Sequence, residues 1–256
     1  MIVCPISLQA GITGFESPAA DYLQLQLIID ELLVRHPSAT FLGAASDNSM
    51  NGVGIFEGDI LICDRSVDAQ QGDVIICDIN GESVCKIFDK ERRLLKSANP
   101  AYQPIVISDT EHFLVEANVV CSLRLHRPNA LAGLLCSAME YQHLQSSIHE
   151  ILIKHANATY FGAACGHSMN DVGIFHGDVL ICDRAVDAQQ GDVIACNLNG
   201  EFVCKIFDKN GRRLLSANSV YKPVEIDNTD IFTVEGTVIC SIRLHRSKQL
   251  LKLEGW

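Results

Sequence analysis

Residues 41–127 recur as 160–246 without a gap, and 56 of the 87 paired positions are identical. A period of 119 residues is far too long for a solenoid, whose units run to a few tens of residues. The chain is therefore a duplicated domain, and at 256 residues each copy is long enough to bury its own core. Such close identity points to a recent duplication. Shared residues then say little about function, and positions where the copies differ say more.

Within the first copy, residues 1–20 contain Gly11, Gly14, Ser17 and Pro18 without clear periodicity, which predicts an extended, mobile arm. A helix is predicted at about 22–35, with Leu25, Ile28, Ile29 and Leu32 on one face, and His36-Pro37-Ser38 stops it. Strand-like runs follow at Thr40–Ala45, Ile60–Asp64, Asp73–Ile79, Ser83–Phe88, Leu94–Lys96, Phe113–Val115 and Val119–Arg124. Gly58-Asp59 and Gly72-Asp73 punctuate them as turns, and Asn80-Gly81 is a two-residue hairpin signal. A linker is expected from Pro128 to Ser137. The second copy then opens with a helix carrying Leu144, Ile148, Ile151 and Leu152. Many short strands after one helix predict a mainly β fold, built as an arm (1–20), a first domain (21–128) and a second (129–256).

The formal charge of −11 is spread along the chain, with no basic stripe. Direct sequence-specific DNA binding is not expected, because phosphate contacts supply much of such affinity. The eleven cysteines stand singly in apolar runs, with no CxxC and no Cys/His cluster at ligand spacing. No metal and no cofactor is expected, and reduced buried thiols fit a cytoplasmic protein. Met1–Ile6 lacks the basic region of a signal peptide, and no apolar run is long enough for a membrane helix.

Each copy carries a Ser-Met pair, at Ser49-Met50 and Ser168-Met169, and a lysine 37 residues later, Lys86 and Lys205, inside Val-Cys-Lys-Ile-Phe. Strand alternation puts Val203, Lys205 and Phe207 on one face, and Val84, Lys86 and Phe88 likewise. Burial disfavours the cation and lowers the pKa of such a lysine. Neutralising an ordinary lysine at pH 7 costs about 4–5 kcal/mol, within what desolvation can supply. A serine on a neighbouring turn would then be a nucleophile and the lysine its general base, a pairing that performs acyl transfer without histidine or metal. Residue chemistry alone leaves the bland alternative open: the lysine snorkels to solvent and the serine caps a turn.

Ser17-Pro18-Ala19-Ala20-Asp21-Tyr22, His36-Pro37-Ser38-Ala39-Thr40, Ser49-Met50, the Gly-Asp turns and Val84-Cys85-Lys86 fall in an order that resembles UmuD-like members of the LexA/UmuD family of self-cleaving serine peptidases. The resemblance covers nearly the whole chain, as a tandem duplication. It implies two compact β-rich peptidase domains, with Ser49 and Ser168 as nucleophiles and Lys86 and Lys205 as bases. It also implies cleavage of the N-terminal arm as the protein's own substrate, stimulated by a RecA-type filament in the SOS response to DNA damage. The trimmed form would join a translesion (UmuC-like) DNA polymerase. Ala10-Gly11 fits the Ala-Gly scissile bond typical of the group, and Ala132-Gly133 in the linker is a second candidate. The copies depart from the pattern differently. Glycine two before the serine is kept as Gly166 but replaced by Asp47, and the arm motif of the second copy has become Cys136-Ser137-Ala138-Met139. These departures suggest a division of labour in which Ser168 and Lys205 cut the arm across an intramolecular pseudo-dimer. The competing expectation is a non-catalytic interaction module, an accessory subunit of a translesion polymerase. A LexA-type repressor is disfavoured, since about twenty residues before the first helix are too few for a helix-turn-helix. A leader peptidase is disfavoured by the lack of an anchor.

Overall fold

The computed structural model describes residues 1–5, 29–110, 112–127, 138–144 and 146–246. Sixteen strands appear in chain order: β1 (Ile2–Pro5), β2 (Thr40–Ala44), β3 (Ile60–Asp64), β4 (Val74–Ile79), β5 (Glu82–Asp89), β6 (Leu94–Lys96), β7 (Ile105–Val106), β8 (Phe113–Leu125), β9 (Met139–Glu140), β10 (Thr159–Cys165), β11 (Val179–Asp183), β12 (Val193–Leu198), β13 (Glu201–Asp208), β14 (Arg213–Leu215), β15 (Val224–Glu225) and β16 (Phe232–Leu244). All pair antiparallel in the ladders described below, so the fold is mainly β, as the turn spacing predicts.

The chain divides into two compact units. One comprises Ile28–Leu123, Ala130–Ser147 and Leu244–Trp256, and holds the first copy. The other comprises Met1–Leu27, Arg124–Asn129 and Ile148–Arg243, and holds the second. The units thus do not follow the sequence repeat at their margins, because the start of the chain belongs with the second copy.

In the second-copy unit, β10 pairs with β11, β11 with β16, β16 with β12, and β12 with β13. β1 then pairs with β10 on one side and β13 on the other, closing the sheet into a barrel. Thirteen residues of β16 serve two partners in succession, and register shifts at Ile181/Cys182 and Ala195/Cys196 supply the bend. The first-copy unit repeats this order as β2-β3-β8-β4-β5, with β9 adding two residues to β2. Its edges β2 and β5 are not joined by a strand among the described residues.

Local sequence explains the connections. Asn80-Gly81 and Asn199-Gly200 turn the β4–β5 and β12–β13 hairpins with φ of 55° and 88°, and 54° and 92°. Both central residues at positive φ is the turn whose twist matches paired strands, and asparagine and glycine tolerate it. The segments predicted at Phe113–Val115 and Val119–Arg124 are one strand, β8, bent rather than broken at Glu116 and Val120, where its register shifts opposite Ile76/Cys77 and Ile62/Cys63. The helix predicted at 22–35 is seen over 29–33 (α1), where Ile29 and Leu33 are buried; it ends before Val34 and Arg35, two residues short of the prediction, and 22–28 lie outside the described residues. Its counterpart α2 is shorter than predicted, Ile148–Leu152, because Leu144 adopts an extended backbone after a one-turn 3-10 helix. Ile2–Pro5, expected as part of a mobile arm, is a strand paired on both edges.

The barrel of the second copy is filled by Met169, Ile174, Leu180, Cys182, Val193 and Cys204, with Met1 packed against them. The first copy uses the equivalent Met50, Ile55, Leu61, Cys63 and Val74. Asp64 and Arg65, adjacent in sequence, take separate partners: Asp64 meets His36 at 2.7 Å, and Arg65 meets Glu140 at 2.8 Å. No helix among the described residues is long and apolar enough to cross a membrane.

Leu180 is fully buried at the centre of the second-copy core. Leu180→Ala should lower the stability of that unit by about 2–5 kcal/mol, as lost transfer energy plus a cavity. Urea unfolding followed by a probe confined to the second-copy unit checks this.

Candidate active site

Ser168 follows β10 on the turn through Gly166-His167, with Met169 between it and the one-turn 3-10 helix Asn170–Val172. Lys205 lies in the middle of β13. The fold brings them together: Lys205 Nζ donates to Ser168 Oγ at 3.2 Å. Ser168 is 1% exposed and Lys205 9%, so the bland alternative of a lysine reaching into solvent does not hold here. Burial holds the Lys205 amine below the usual lysine range. The same amine donates to Ser216 Oγ at 2.7 Å and lies 5.7 Å from the Tyr221 ring.

The first copy repeats the pair. Lys86 Nζ donates to Ser49 Oγ at 3.0 Å, and both residues are buried. All four residues singled out in the sequence therefore fall into two serine–lysine contacts. Ala10-Gly11 and Ala132-Gly133 lie outside the described residues.

The surroundings of the two pairs differ. At the second, β1 runs between β10 and β13, with Ile2 opposite Cys165 and Val203. The Met1 carbonyl accepts from the Cys204 amide at 2.8 Å. The Met1 α-amino group donates to Ser168 Oγ at 2.6 Å, and burial together with the Lys205 charge brings its pKa down to about 6. In this register Met1 stands at Ser168. Moving Ala10 there along a strand means a slide of roughly 30 Å, at about 3.3 Å per residue. At the first pair, the corresponding space between β2 and β5 is a cleft of about 460 Å³, lined by Ser49, Lys86, Met50, Ile55, Cys85 and Ala138. Ile76 also lines it, where the second copy has Ala195, a member of the core cluster that includes Met1.

The turns before the serines differ as well. Gly166 has φ of +110°, which suits glycine and no ordinary residue. Asp47 does not take that conformation. Its carboxylate instead accepts the Ser49 amide at 2.7 Å, and that hydrogen bond lowers its pKa. The serine–lysine distance is nevertheless kept, so Asp47 redraws the turn without separating the pair. Its consequence is electrostatic: the amide of the nucleophile's own residue is a donor that acyl-transfer sites aim at a developing oxyanion. In the first copy that donor is already capped by a negative charge. Glycine at 166 has no side chain to do this.

Sequence reasoning missed Ser216 and its counterpart Ser97, each eleven residues after a lysine in Ser-Ala-Asn. The repeated spacing was a signal, but recent duplication made it uninformative. It also missed that the first residues of the chain occupy the second site.

With this geometry described, comparison with known proteins assigns the family. A family model for peptidase S24-like proteins matches twice, over residues 5–120 and 128–239. The chain belongs to the peptidase S24-like family, as a tandem duplication. It is similar to protein ImpA of Salmonella typhimurium, 40% identical over 100 residues, which is 39% of this chain and 63% of ImpA. It is 38% identical to protein MucA of Escherichia coli over 89 residues, 35% of this chain and 61% of MucA. Protein SamA of Salmonella typhimurium strain LT2 is 34% identical over 110 residues, 43% of this chain and 79% of SamA. The matched stretch thus spans a little over three-fifths of ImpA and MucA. Peptidase S24 membership accounts for two β-rich domains of serine-peptidase type.

Asp47→Ala should release the Ser49 amide. Its hydrogen exchange is expected to accelerate about tenfold, the equivalent of a charge-assisted bond worth about 1.5 kcal/mol. Native-state exchange read by NMR at the Ser49 amide checks this.

Proposed function

We propose that the chain is a self-cleaving serine peptidase of the SOS DNA-damage response, with Ser168 as nucleophile and Lys205 as general base. One observation carries the proposal: a buried lysine amine in contact with a buried serine hydroxyl, on a turn whose glycine leaves the serine amide uncapped. In the neutral state, the Lys205 lone pair accepts the Ser168 proton as Oγ attacks the scissile carbonyl. The resulting ammonium then protonates the leaving amine, giving an acyl-enzyme. Water, deprotonated by the same amine, releases the acyl group and frees Ser168. The substrate is the N-terminal arm at Ala10-Gly11, and β1 must leave the cleft before that bond can enter. A RecA-type filament would stimulate the step, and the trimmed chain would support error-prone translesion synthesis with a UmuC-like polymerase in the cytoplasm. Ser49 and Lys86, with the oxyanion donor capped by Asp47, would contribute little to cutting.

A second reading has its own support. β1 fills the cleft at Ser168, and Asp47 caps the amide at Ser49. Both would suit a non-catalytic accessory subunit of a translesion polymerase, with its two domains as a built-in pair.

Mass spectrometry of the full chain incubated from pH 7 to 10 separates the two. Because burial lowers the Lys205 pKa, the neutral base is the minority form below that pKa and grows as pH rises, so trimming should accelerate toward alkaline pH and then level off. Ser168→Ala should slow it at least about a hundredfold, and Ser49→Ala by less than about threefold. A folded chain that stays intact across the range favours the accessory subunit. Loss of trimming in Ser49→Ala alone reverses the assignment of labour between the copies.

A further inference from the structure

Ser216 follows β14 directly, one residue beyond the Leu215–Ile206 pair, which places it across from Lys205. Its Oγ lies 2.7 Å from Lys205 Nζ, shorter than the 3.2 Å from Nζ to Ser168 Oγ. The first copy has the same topology, since Ile87 pairs with Lys96 and Ser97 comes next. There the Ser97 Oγ is buried without a hydrogen-bond partner, and Lys86 Nζ donates to Ser49. One pair of identical residues is thus engaged in one copy and disengaged in the other.

A neutral primary amine has two N–H donors and a single lone pair, and its Cε–Nζ bond rotates freely unless something accepts one of the donors. General-base action requires that lone pair to face the serine hydroxyl. We propose that Ser216 is a positioning residue, whose hydroxyl takes one N–H of Lys205 and turns the lone pair onto Ser168. Ser97 gives Lys86 no such hold, which makes the second pair the better base as well as the one with a free serine amide. This rests on the serine–lysine peptidase reading and adds a third member to it. The other groups facing the Lys205 amine are the Met1 α-amine on β1, the Cys196 and Cys204 thiols on β12 and β13, and the Tyr221 ring.

The test uses the full chain with ¹³C-labelled lysine, following the Lys205 side-chain titration by NMR alongside arm loss by mass spectrometry. Removing an acceptor from the ammonium should lower the Lys205 midpoint by about one pH unit in Ser216→Ala. Trimming should nonetheless slow about tenfold, although more of the amine is neutral. A slower rate with more free base is the signature of lost orientation, which mere loosening of β14 would not give. Ser216→Thr keeps the hydroxyl and should restore both values to within about threefold of the unaltered chain, and Ser97→Ala should move neither. An unchanged Lys205 midpoint in Ser216→Ala overturns the proposal, whether or not the chain trims itself. So does trimming that speeds up in step with the neutral fraction. Trimming that survives Ser168→Ala overturns the dyad itself, a result the Lys205 titration cannot produce.

Discussion

Burying one lysine amine in a strand sets the conditions that the rest of the second-copy unit meets. A solvated ammonium is comfortable, whereas an ammonium 9% exposed inside a barrel wall needs hydroxyl partners or must give up its proton. Ser168 and Ser216 provide those partners from opposite sides, one on the turn after β10 and one just after β14. The barrel core beneath, from Met169 to Cys204, excludes water from this face and keeps the contact strong. The lowered pKa of Lys205 is therefore a property of packing, and not of the residue taken singly.

The same packing explains why the two copies are not equivalent despite their identity. An open edge between β10 and β13 exposes backbone donors and acceptors, and β1 satisfies them on both sides. The first copy leaves the matching edge between β2 and β5 as a cleft. Ile76 lines it, and the second copy has the smaller Ala195 at that position, in the same core cluster as Met1. Asp47 then adds a fixed negative charge next to Ser49, where Gly166 adds none. Ile76/Ala195 and Asp47/Gly166 are two differences between copies whose strands otherwise pair in the same order.

Much of this was legible in the sequence because it depends on local rules. Asn80-Gly81 and Asn199-Gly200 specify their hairpins through backbone conformation, short apolar runs locate β3 and β11, and the runs around the two lysines locate β5 and β13. The serine–lysine pairing was legible too, because an amine amid Val, Cys, Ile and Phe has few reasons to be there. What was hidden depends on long-range pairing. The strand β1 is only four residues of unremarkable composition, and nothing local says that its partners lie about 160 and 200 residues away. Likewise the 119-residue repeat suggests two units cut at residue 128, while packing assigns 124–129 and the first residues to the second. Ser216 was hidden for a different reason: a small polar residue after a short strand has no pattern, and its meaning comes from the residue it faces.

On the peptidase reading proposed above, occupancy of the second cleft by β1 has an energetic consequence. A docked strand and a substrate strand compete for the same backbone groups of β10 and β13, so activity scales with the fraction of molecules in which the cleft is free. Each ~1.4 kcal/mol by which β1 docking is favoured lowers that fraction about tenfold. A strand paired on both edges and anchored by a buried methionine holds such increments in its backbone pairing and apolar burial, leaving the resting rate low without altering the chemistry of Lys205. Stimulation then needs no new catalytic group. Any partner that binds the arm in its released form raises the competent fraction by its differential affinity for that form, and the rate rises by the same factor.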